Sequence, residues 1–237
     1  MTTRPPDRPS EHRRVLYGRR RGRPLHRGQQ ALVETLLPRL AVTLPAAGTL
    51  DPATLFDPRP DEVWLEIGFG SGEHLAAQAA AHPAIGFIGC EVFENGVAKL
   101  LADVQRRALA NVRILTDDAR LLIAALPSAS IGRVFILFPD PWPKQRHHKR
   151  RIVAGETLAA LAAIMTDGAE LRLATDDLDY LAWMLARVPA HPAFAWLADR
   201  PSDWRVRPAD WPATRYEAKA IAAGRRPYFL RFRRRAR

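Results

Sequence analysis

Between residues 62 and 188 the sequence alternates short apolar runs with longer stretches that have the period of an amphipathic helix. Each apolar run is short and ends in a polar or glycine-rich turn, which is typical of strands. The five strand candidates are residues 62–67, 85–92, 112–115, 133–138 and 169–175, and the helical periods are residues 72–81, 94–110, 119–126, 151–165 and 176–188. This alternation predicts an α/β fold with a doubly wound, mostly parallel sheet. In such a sheet, ligands bind beside the carboxyl ends of the strands.

The two ends of the chain complete the predicted organisation. Residues 1–28 are rich in Arg, Pro and Gly and lack apolar periodicity, which predicts a flexible basic N-terminal arm. A short amphipathic helix is expected within residues 29–40, and residues 227–235 form one more strand candidate. We therefore expect a single Rossmann-like domain over residues 29–237.

The composition argues against a membrane or secreted protein. No stretch approaches the roughly 18 uninterrupted apolar residues of a spanning helix, and the N-terminal residues lack the apolar core of a signal peptide. A single cysteine, Cys90, cannot form an intramolecular disulfide or a CxxC pair. We expect a reduced, cytoplasmic protein without a membrane partner.

The charge of the chain is unevenly distributed. Lys and Arg number 36 against 25 Asp and Glu, which gives a net charge of +11. Three segments, residues 1–30, 144–151 and 225–237, hold 21 of the 36 basic residues and two of the acids, so the rest of the chain is net negative. Three such segments predict a polyanion bound through its phosphates, whereas one alone would more often be a solvated tail.

A glycine-rich turn follows the first strand candidate. Glu66, Gly68, Gly70 and Gly72 have the spacing E-x-G-x-G-x-G before a helix. Glycines let the backbone approach a ligand closely, and the helix N-terminus adds N–H donors. A tight strand-to-helix connection would have the same spacing. A dinucleotide fingerprint would need glycine where Glu73 stands, which argues against a nicotinamide oxidoreductase.

Acidic residues accompany the first three strands. Besides Glu66, Glu91 ends the second strand, where a carboxylate can accept hydrogen bonds from both hydroxyls of a ribose. Asp117 and Asp118 follow the third strand, where a carboxylate can accept from an adenine amino group. Each acid alone could be a helix N-cap or an exposed turn residue. Together they predict an adenosyl ligand without phosphates, which indicates S-adenosyl-L-methionine.

The most specific signal follows the fourth strand, in the segment FPDPWPKQRHHKRR at residues 138–151. Its prolines restrict the backbone and hold Asp140 on a stiff loop. Trp142 offers a flat face on which a base could stack. Lys144, Arg146, His147, His148, Lys149, Arg150 and Arg151 form a basic stretch suited to phosphate contacts. The His pair lacks further ligands at a suitable spacing, so no metal is expected.

Two helix caps are predicted near the C-terminal half of the sheet. After the fifth strand, Thr175 or Asp176 would cap the following helix. Asp176 also follows the carboxyl end of that strand, which lies on the same rim of the sheet as the fourth-strand loop. Thr214 stands three residues before Glu217, the spacing of a capping box.

At these residues the chain closely resembles the bacterial tRNA (guanine-N7-)-methyltransferase family. The resemblance extends from GRRRGRPLHRGQQAL through EIGFGSGEHL, FPDPWPKQRHHKRR and LATDD to TRYEAKAIAAGRRPYFLRF. The glycine-rich turn is shared by many methyltransferases, whereas FPDPWPK-x-RHHKRR is highly specific. The resemblance implies a class I methyltransferase fold, S-adenosyl-L-methionine as cofactor, and methylation of guanine 46 in the tRNA variable loop to 7-methylguanosine.

The resemblance also implies residue roles. Cofactor-binding positions are Glu66, Gly68, Gly70, Gly72, Glu91, Asp118 and Asp140, and Asp140 is the catalytic residue. Substrate-binding positions are Lys144, Asp176, Thr214, Arg215, Tyr216 and Glu217, and RNA-contacting positions are Arg146, His147, His148, Lys149, Arg150 and Arg151. The family motif usually reads T-x-F-E followed by an Arg-Gly pair. This chain has TRYE followed by AKAIAAG, so Tyr216 stands in place of the usual Phe and the Arg-Gly pair is absent.

Two alternatives remain open on the sequence. DPWP is similar to the Asp-Pro-Pro-aromatic loop of methyltransferases that act on exocyclic amino groups, although Trp142 separates the two prolines. An RNA-binding module with an inactive cofactor site is the non-enzyme alternative, and the intact acids after the first three strands argue against it.

Overall fold

The computed structural model describes residues 18–237, and its centre is a seven-stranded sheet. The strands are β1 (Glu62–Ile67), β2 (Ile85–Cys90), β3 (Val112–Leu115), β4 (Ile131–Leu137), β5 (Met165–Thr175), β6 (Phe194–Trp196) and β7 (Tyr228–Arg234). Their order across the sheet is β3-β2-β1-β4-β5-β7-β6. The first five strands are parallel, and β7 pairs antiparallel with β5 and β6. The predicted doubly wound, mostly parallel sheet is confirmed.

Helices cover both faces of the sheet. They are α1 (Arg27–Thr35), α2 (Leu37–Leu40), α3 (Glu73–Ala81), α4 (Glu94–Arg107), α5 (Ala119–Ala125), α6 (Gly155–Ile164), α7 (Leu178–Arg187), α8 (Ser202–Arg205) and α9 (Arg215–Ala222), with short 3-10 helices at Pro52–Leu55 and Gln145–Arg150. Helices α1 to α4 pack in one apolar cluster and α5 to α7 in another. Within the described residues no helix is long and apolar enough to cross a membrane.

Side-chain alternation along β1 determines which apolar cluster each of its residues joins. Val63, Leu65 and Ile67 belong to the cluster beneath α5 to α7, whereas Trp64 packs in the cluster beneath α3 and α4. Since neighbouring side chains on a strand point to opposite faces, Glu66 faces the α3 side with Trp64. This orientation determines its partner, as shown below.

The strand candidates match the structure closely, and the differences lie in segments with weak local signals. β5 begins at Met165, four residues before the predicted start, because Ile131 of β4 pairs with Met165 across a register shift. Helix α6 begins at Gly155, not at residue 151. β6 was not predicted, since its three residues FAW are too few to show alternation.

The N-terminal arm falls partly outside the described residues, which begin at Gly18. Residues 18–23 run along the N-terminus of α4. The Asn95 amide accepts from Gly22 N at 2.8 Å and donates to Arg23 O at 2.8 Å, and Glu94 N donates to Arg20 O at 2.9 Å. A Cβ at Gly22 would lie 2.4 Å from Asn95 Oδ1, so glycine permits this close approach.

Candidate active site

A cleft of about 430 Å³ opens at the carboxyl ends of β1, β2, β3 and β4. Its size suits a small-molecule cofactor. The lining includes Gly68, Gly70, Glu91, Asp117, Asp118, Asp140, Trp142, Arg150, Arg151 and Tyr216. The cleft therefore joins the glycine-rich turn, the strand-end acids and the Pro-rich loop that the sequence analysis singled out.

The glycine-rich turn has a backbone that requires its glycines. Gly68, Gly70 and Gly72 have φ of +73°, +58° and +80°, in the left-handed region that side chains with a Cβ rarely adopt. A Cβ on Gly72 would also meet Leu100 of α4 at 2.7 Å. The turn can thus lie against α4 while its backbone borders the cleft.

Glu91 is the most firmly held acid of the cleft. Its carboxylate accepts hydrogen bonds from Gly70 N at 2.8 Å, Val92 N at 2.7 Å and Phe93 N at 2.9 Å. Desolvation nevertheless outweighs these bonds and raises the pKa of Glu91 above its usual value. Oε1 accepts two of these bonds, whereas Oε2 accepts only that from Gly70 N and keeps acceptor capacity for a hydroxyl donor, which suits the predicted contact with a ribose.

Asp117 and Asp118 lie side by side on the cleft wall with different surroundings. Asp118 is buried, caps α5 through Arg120 N at 3.0 Å, and its carboxylate pairs with the Arg120 guanidinium at 2.5 to 3.0 Å. Asp117 is exposed and accepts from Asp118 N at 2.8 Å. The pair therefore combines a fixed carboxylate with a solvent-facing one at the predicted adenine position.

Glu66 lies away from the cleft lining. Its Oε2 is 2.7 Å from His74 Nδ1, and the two side chains are 5% and 2% exposed. The His74 ring also packs against Phe135, at 4.7 Å between ring centroids. Strand alternation directs the Glu66 side chain toward α3. Its contact with His74 therefore joins the end of β1 to the first turn of α3. In this structure it holds the ends of the glycine-rich turn together.

The loop after β4 carries Asp140 at the mouth of the cleft. Phe138 and Trp142, on either side of Pro139-Asp140-Pro141, have φ of +50° and +46°. Two left-handed residues beside two prolines make a sharply bent, stiff loop. Asp140 is exposed, yet partial desolvation raises the pKa of its carboxyl above the usual value.

The basic segment after this loop forms the 3-10 helix Gln145–Arg150. Lys144, Arg146 and Lys149 are exposed, as expected for residues that contact RNA. His147 and Arg150 lie against Trp142, with the Arg150 guanidinium 4.8 Å from the indole centroid. Since Trp142 and Arg150 both line the cleft, the exposed cations begin directly beside Asp140.

Arg151 differs from the other predicted RNA-contacting residues because its side chain is fully buried. Its Nε donates to Pro141 O at 2.8 Å, and its Nη2 pairs with Asp179. The guanidinium also lies 4.8 Å from the ring centroids of Tyr180 and Trp183. Arg151 thus fixes the Pro-rich loop to α7 and presents no charge to solvent.

The rim after β5 corrects one capping prediction. Helix α7 is capped by Asp177, whose Oδ1 accepts from Tyr180 N at 2.8 Å, so the expected cap at Thr175 or Asp176 is wrong. Two successive Asp residues gave no local means of choosing between them. Asp176 instead pairs with Arg225 Nε at 2.6 Å, next to the start of β7.

Helix α9 brings the predicted substrate-binding residues to the cleft. Thr214 caps it by accepting from Glu217 N at 3.1 Å, as the spacing predicts, while the Glu217 carboxylate pairs with Arg207 at 3.1 Å. Arg215 Nη2 donates to Ser71 Oγ at 2.6 Å, and Tyr216 lines the cleft. Arg215 and Tyr216 therefore lie against the glycine-rich turn.

The C-terminal basic segment, one of the three predicted to bind a polyanion, has most of its arginines paired within the protein. Five of its seven arginines have internal partners. These are Arg225 with Asp176, Arg231 with Glu170, Arg234 with Ala162 O, Arg235 with Phe194 O and Arg237 with Asp167. Most of the segment is the sheet strand β7, and these five guanidinium groups connect it and its flanks to the rest of the fold.

Sequence reasoning missed several residues at the cleft. Gly18 and Arg19 of the N-terminal segment line it, as do Ile152 and Thr157 near the start of α6. Ile152 and Thr157 carry no motif, and Gly18 and Arg19 open the GRRRG stretch of the family resemblance, to which no site role was assigned. Ser71 was also missed, although its place between Gly70 and Gly72 was a usable signal.

Comparison with known proteins assigns the chain to a family. Residues 60–230 match the family model Methyltransf_4, described as "Putative methyltransferase". The chain is 53% identical over 238 residues to the tRNA (guanine-N(7)-)-methyltransferase of Rhodospirillum rubrum, covering 98% of this chain and 92% of that protein. It is also 53% identical over 224 residues to the enzyme of the same name from Paramagnetospirillum magneticum, covering 94% and 93%. The chain belongs to the tRNA (guanine-N(7)-)-methyltransferase family.

Solved structures agree with this assignment at the level of the fold. The crystal structure of the 16S rRNA methyltransferase KamB superposes with a TM-score of 0.56 at 16% identity, over 80% of this chain and 96% of that one. The class I methyltransferase fold, the methyltransferase activity and S-adenosyl-L-methionine as cofactor are confirmed for this member of the tRNA (guanine-N(7)-)-methyltransferase family.

Proposed function

We propose that this protein transfers a methyl group from S-adenosyl-L-methionine to N7 of guanine in tRNA, at guanine 46 of the variable loop. The observation that carries the proposal is the position of Asp140, which lies between an acid-lined cleft and an exposed basic segment. The names of the relatives that match nearly the whole chain support the same reaction. A tRNA substrate agrees with the cytoplasmic location expected from the sequence.

The residues of the cleft fit the cofactor. Glu91 has acceptor capacity toward the cleft, and Gly68 and Gly70 keep the backbone free of side chains beside it. Acidic residues on three strand ends suit a cationic ligand without phosphates. We assign Glu91 to the ribose and the wall formed by Asp117 and Asp118 to the adenine, with Asp140 at the reactive end.

The chemistry of guanine N7 determines what the protein must provide. When bound, S-adenosyl-L-methionine supplies an electrophilic methyl group, and guanine N7 offers an in-plane lone pair without a proton, so the reaction needs no general base. The methylated base is cationic. Asp140 supplies a nearby carboxylate that stabilises this positive charge, and the stiff Pro139-Asp140-Pro141 loop keeps it in place. The remaining contribution is alignment of the base.

The basic segment supplies the RNA contacts in this proposal. Lys144, Arg146 and Lys149 point to solvent beside Trp142 and Asp140, where they can bind phosphates of the variable loop. His147, His148 and Arg150 border this surface. We assign Lys144, Asp176, Thr214 and Glu217 to the guanine side of the site, where the family resemblance places them. Arg215 and Tyr216 belong to the same stretch but contact the glycine-rich turn.

The reaction is tested by incubating the protein with an unmodified tRNA transcript and methyl-labelled S-adenosyl-L-methionine, followed by nucleoside analysis. The expected product is labelled 7-methylguanosine. A transcript with adenine at position 46 is the matched control and should take up no label. Label in an exocyclic-amino nucleoside would support the alternative reaction, and cofactor binding without transfer to any tRNA would support an RNA-binding module.

A further inference from the structure

Helix α9 is fastened to the glycine-rich turn at its first residue. The Arg215 Nη2 atom donates to Ser71 Oγ at 2.6 Å, and its Nε lies 3.8 Å from Glu73 Oε1 at the start of α3. Ser71 is 5% exposed and stands between Gly70 and Gly72. Because Ser71 is part of the turn that borders the cleft, Arg215 ties α9 to the cofactor side of the site.

The next residue, Tyr216, lies directly over the same turn. A Cβ placed on Gly70 would be 2.8 Å from Tyr216 Cε2, so the ring packs against the bare glycine backbone. Tyr216 lines the cleft together with Glu91 and Asp140. Desolvation, followed by the charges of Glu91 and Asp140, raises the pKa of the Tyr216 phenol. Its ring therefore forms a wall of the cofactor cleft.

The loop that precedes α9 is anchored to α3 as well. Gln78 of α3 is buried and donates through Nε2 to Asp210 O at 2.7 Å. The adjacent Trp211 is 2% exposed and packs edge-on against Phe229 of β7, with ring centroids 5.4 Å apart. Together with the bond from Arg215 to Ser71, these contacts hold α9 against the glycine-rich turn without any contribution from RNA.

We propose that Tyr216 closes the cofactor cleft over the glycine-rich turn, and that Arg215 is a positioning residue that holds Tyr216 there through Ser71. Two residues that the family resemblance places on the substrate side thus act in cofactor retention. The inference rests on the proposed function only for the identity of the cofactor. It predicts that both residues affect cofactor affinity when no tRNA is present.

The pair is tested by measuring the dissociation constant of S-adenosyl-L-methionine for the full chain by isothermal titration calorimetry without RNA. Arg215→Gln and Ser71→Ala should each weaken binding about tenfold, the order allowed by one hydrogen bond to a charged group. The double variant should bind about as weakly as either single variant, because both remove one interaction. Arg59→Gln is the control, since it removes a similarly exposed guanidinium, with its own partner Asp51, far from the cleft.

The ring is tested separately by two substitutions at Tyr216. Tyr216→Ala should weaken cofactor binding at least tenfold, because it removes the wall over Gly70. Tyr216→Phe keeps the ring and should restore affinity to within about twofold of the wild type. A thermal melt of each variant checks that it is folded, and little loss of stability is expected because Tyr216 is 46% exposed.

Two outcomes would overturn the inference. Cofactor affinity equal to the wild type in Arg215→Gln and Tyr216→Ala, with weaker tRNA binding in a filter assay, would place both residues on the RNA side. Additive losses in the Ser71 and Arg215 double variant would show that the two residues act separately. If the wild type took up no cofactor, the proposed function itself would fail, which is a distinct result.

Discussion

Two basic segments, residues 144–151 and 225–237, look alike in the sequence and differ in the structure. The first follows the Pro-rich loop and forms the 3-10 helix Gln145–Arg150, and its Lys144, Arg146 and Lys149 are exposed. The second is mostly strand β7, whose arginines bond to neighbouring strands and helices. A run of cations thus stays exposed where it lies outside the sheet, and it is paired within the fold where the backbone belongs to a strand.

Two residues, one in the first segment and one facing the second, refine this comparison. Arg151 belongs to the loop but is buried between Tyr180 and Trp183. Glu170 of β5 is the central acid beneath the strand, because it pairs with Arg172 at 2.8 Å and with Arg231 at 2.9 Å. Burial and partners, not the sequence position, separate the two roles.

The largest effect is expected at Asp140, the residue that links the loop to the chemistry. Asp140→Asn should lower turnover about 10²- to 10³-fold, because the amide cannot neutralise the charge on the methylated base. The dissociation constant of the cofactor, measured in parallel by equilibrium dialysis, should change far less. Turnover near that of the wild type would remove Asp140 from the mechanism.

The next effect tests whether exposed cations, and not net charge, bind tRNA. Replacing Lys144, Arg146 and Lys149 by Ala should weaken tRNA binding strongly and reduce the slope of log affinity against log salt by about one unit per cation. Replacing Arg231, Arg235 and Arg237 by Ala removes the same charge and should change affinity and slope much less. Filter binding at several salt concentrations measures the tRNA affinity and its salt slope. Equal slopes in the two triple variants would contradict the difference between the two basic segments.

Cofactor binding provides an internal reference for that experiment. Its affinity should depend weakly on salt in the wild type and in both triple variants, because the cofactor lacks phosphates. A salt slope for the cofactor as steep as that for tRNA would contradict the division between an acidic cleft and a basic RNA surface.

A smaller effect, on stability alone, is expected at Arg234. Its side chain is 9% exposed and donates through Nε to Ala162 O at 2.8 Å. Arg234→Leu leaves that carbonyl without its donor and should lower the free energy of unfolding by about 1–3 kcal/mol. Urea denaturation measures the loss. The tRNA affinity of the folded variant should equal that of the wild type, and a matching loss of tRNA affinity would assign the strand to RNA binding.

The smallest effect concerns the pH dependence that Glu170 introduces. Desolvation acts to raise the pKa of Glu170, but hydrogen bonds and charges from Arg231 and Arg172 outweigh it and lower the pKa to about 2. A lowered pKa in the folded state stabilises the protein above the ordinary carboxyl pKa, and that stabilisation is lost as the pH falls from about 4.5 to about 2.

Glu170→Gln is the variant that isolates this contribution. At pH 7 the free energy of unfolding should be larger for the wild type than for Glu170→Gln. This difference should shrink as the pH falls from about 4.5 to about 2. Urea denaturation at a series of pH values gives the difference directly. A difference that is constant with pH would show that the carboxylate charge does not hold β5 and β7 together.

Local patterns were sufficient for most of the fold. Alternation placed β1 and β3 at their observed bounds, and the glycine spacing at Gly68, Gly70 and Gly72 predicted a turn that does use left-handed φ at all three positions. β6 was not predicted because a strand of three residues is too short to show periodicity. The cap of α7 escaped because Asp176 and Asp177 have equal capping propensity, and only the backbone geometry selects Asp177.

The site was predicted well where residues follow strand ends and less well where packing decides the partner. Glu91 and Asp140 border the cleft because parallel strands end at one edge of the sheet. Glu66 is equally close in sequence to the turn, yet it faces His74 because strand residues alternate between faces. Gly18 and Arg19 line the cleft, and the segment that follows them is held at Gly22 by Asn95, 73 residues away, a contact that no local signal encodes.

The sequence by itself determined the family, the alternating α/β architecture and the rim on which the acids gather, because periodicity and strand-end spacing are local properties of the chain. Only the tertiary structure decided which charges remain available to a ligand. That outcome depends on desolvation and on partners distant in sequence, such as Asp179 for Arg151 and Glu170 for Arg231. A guanidinium paired with a carboxylate or carbonyl of the fold has donors occupied, and one left at the surface can bind phosphate.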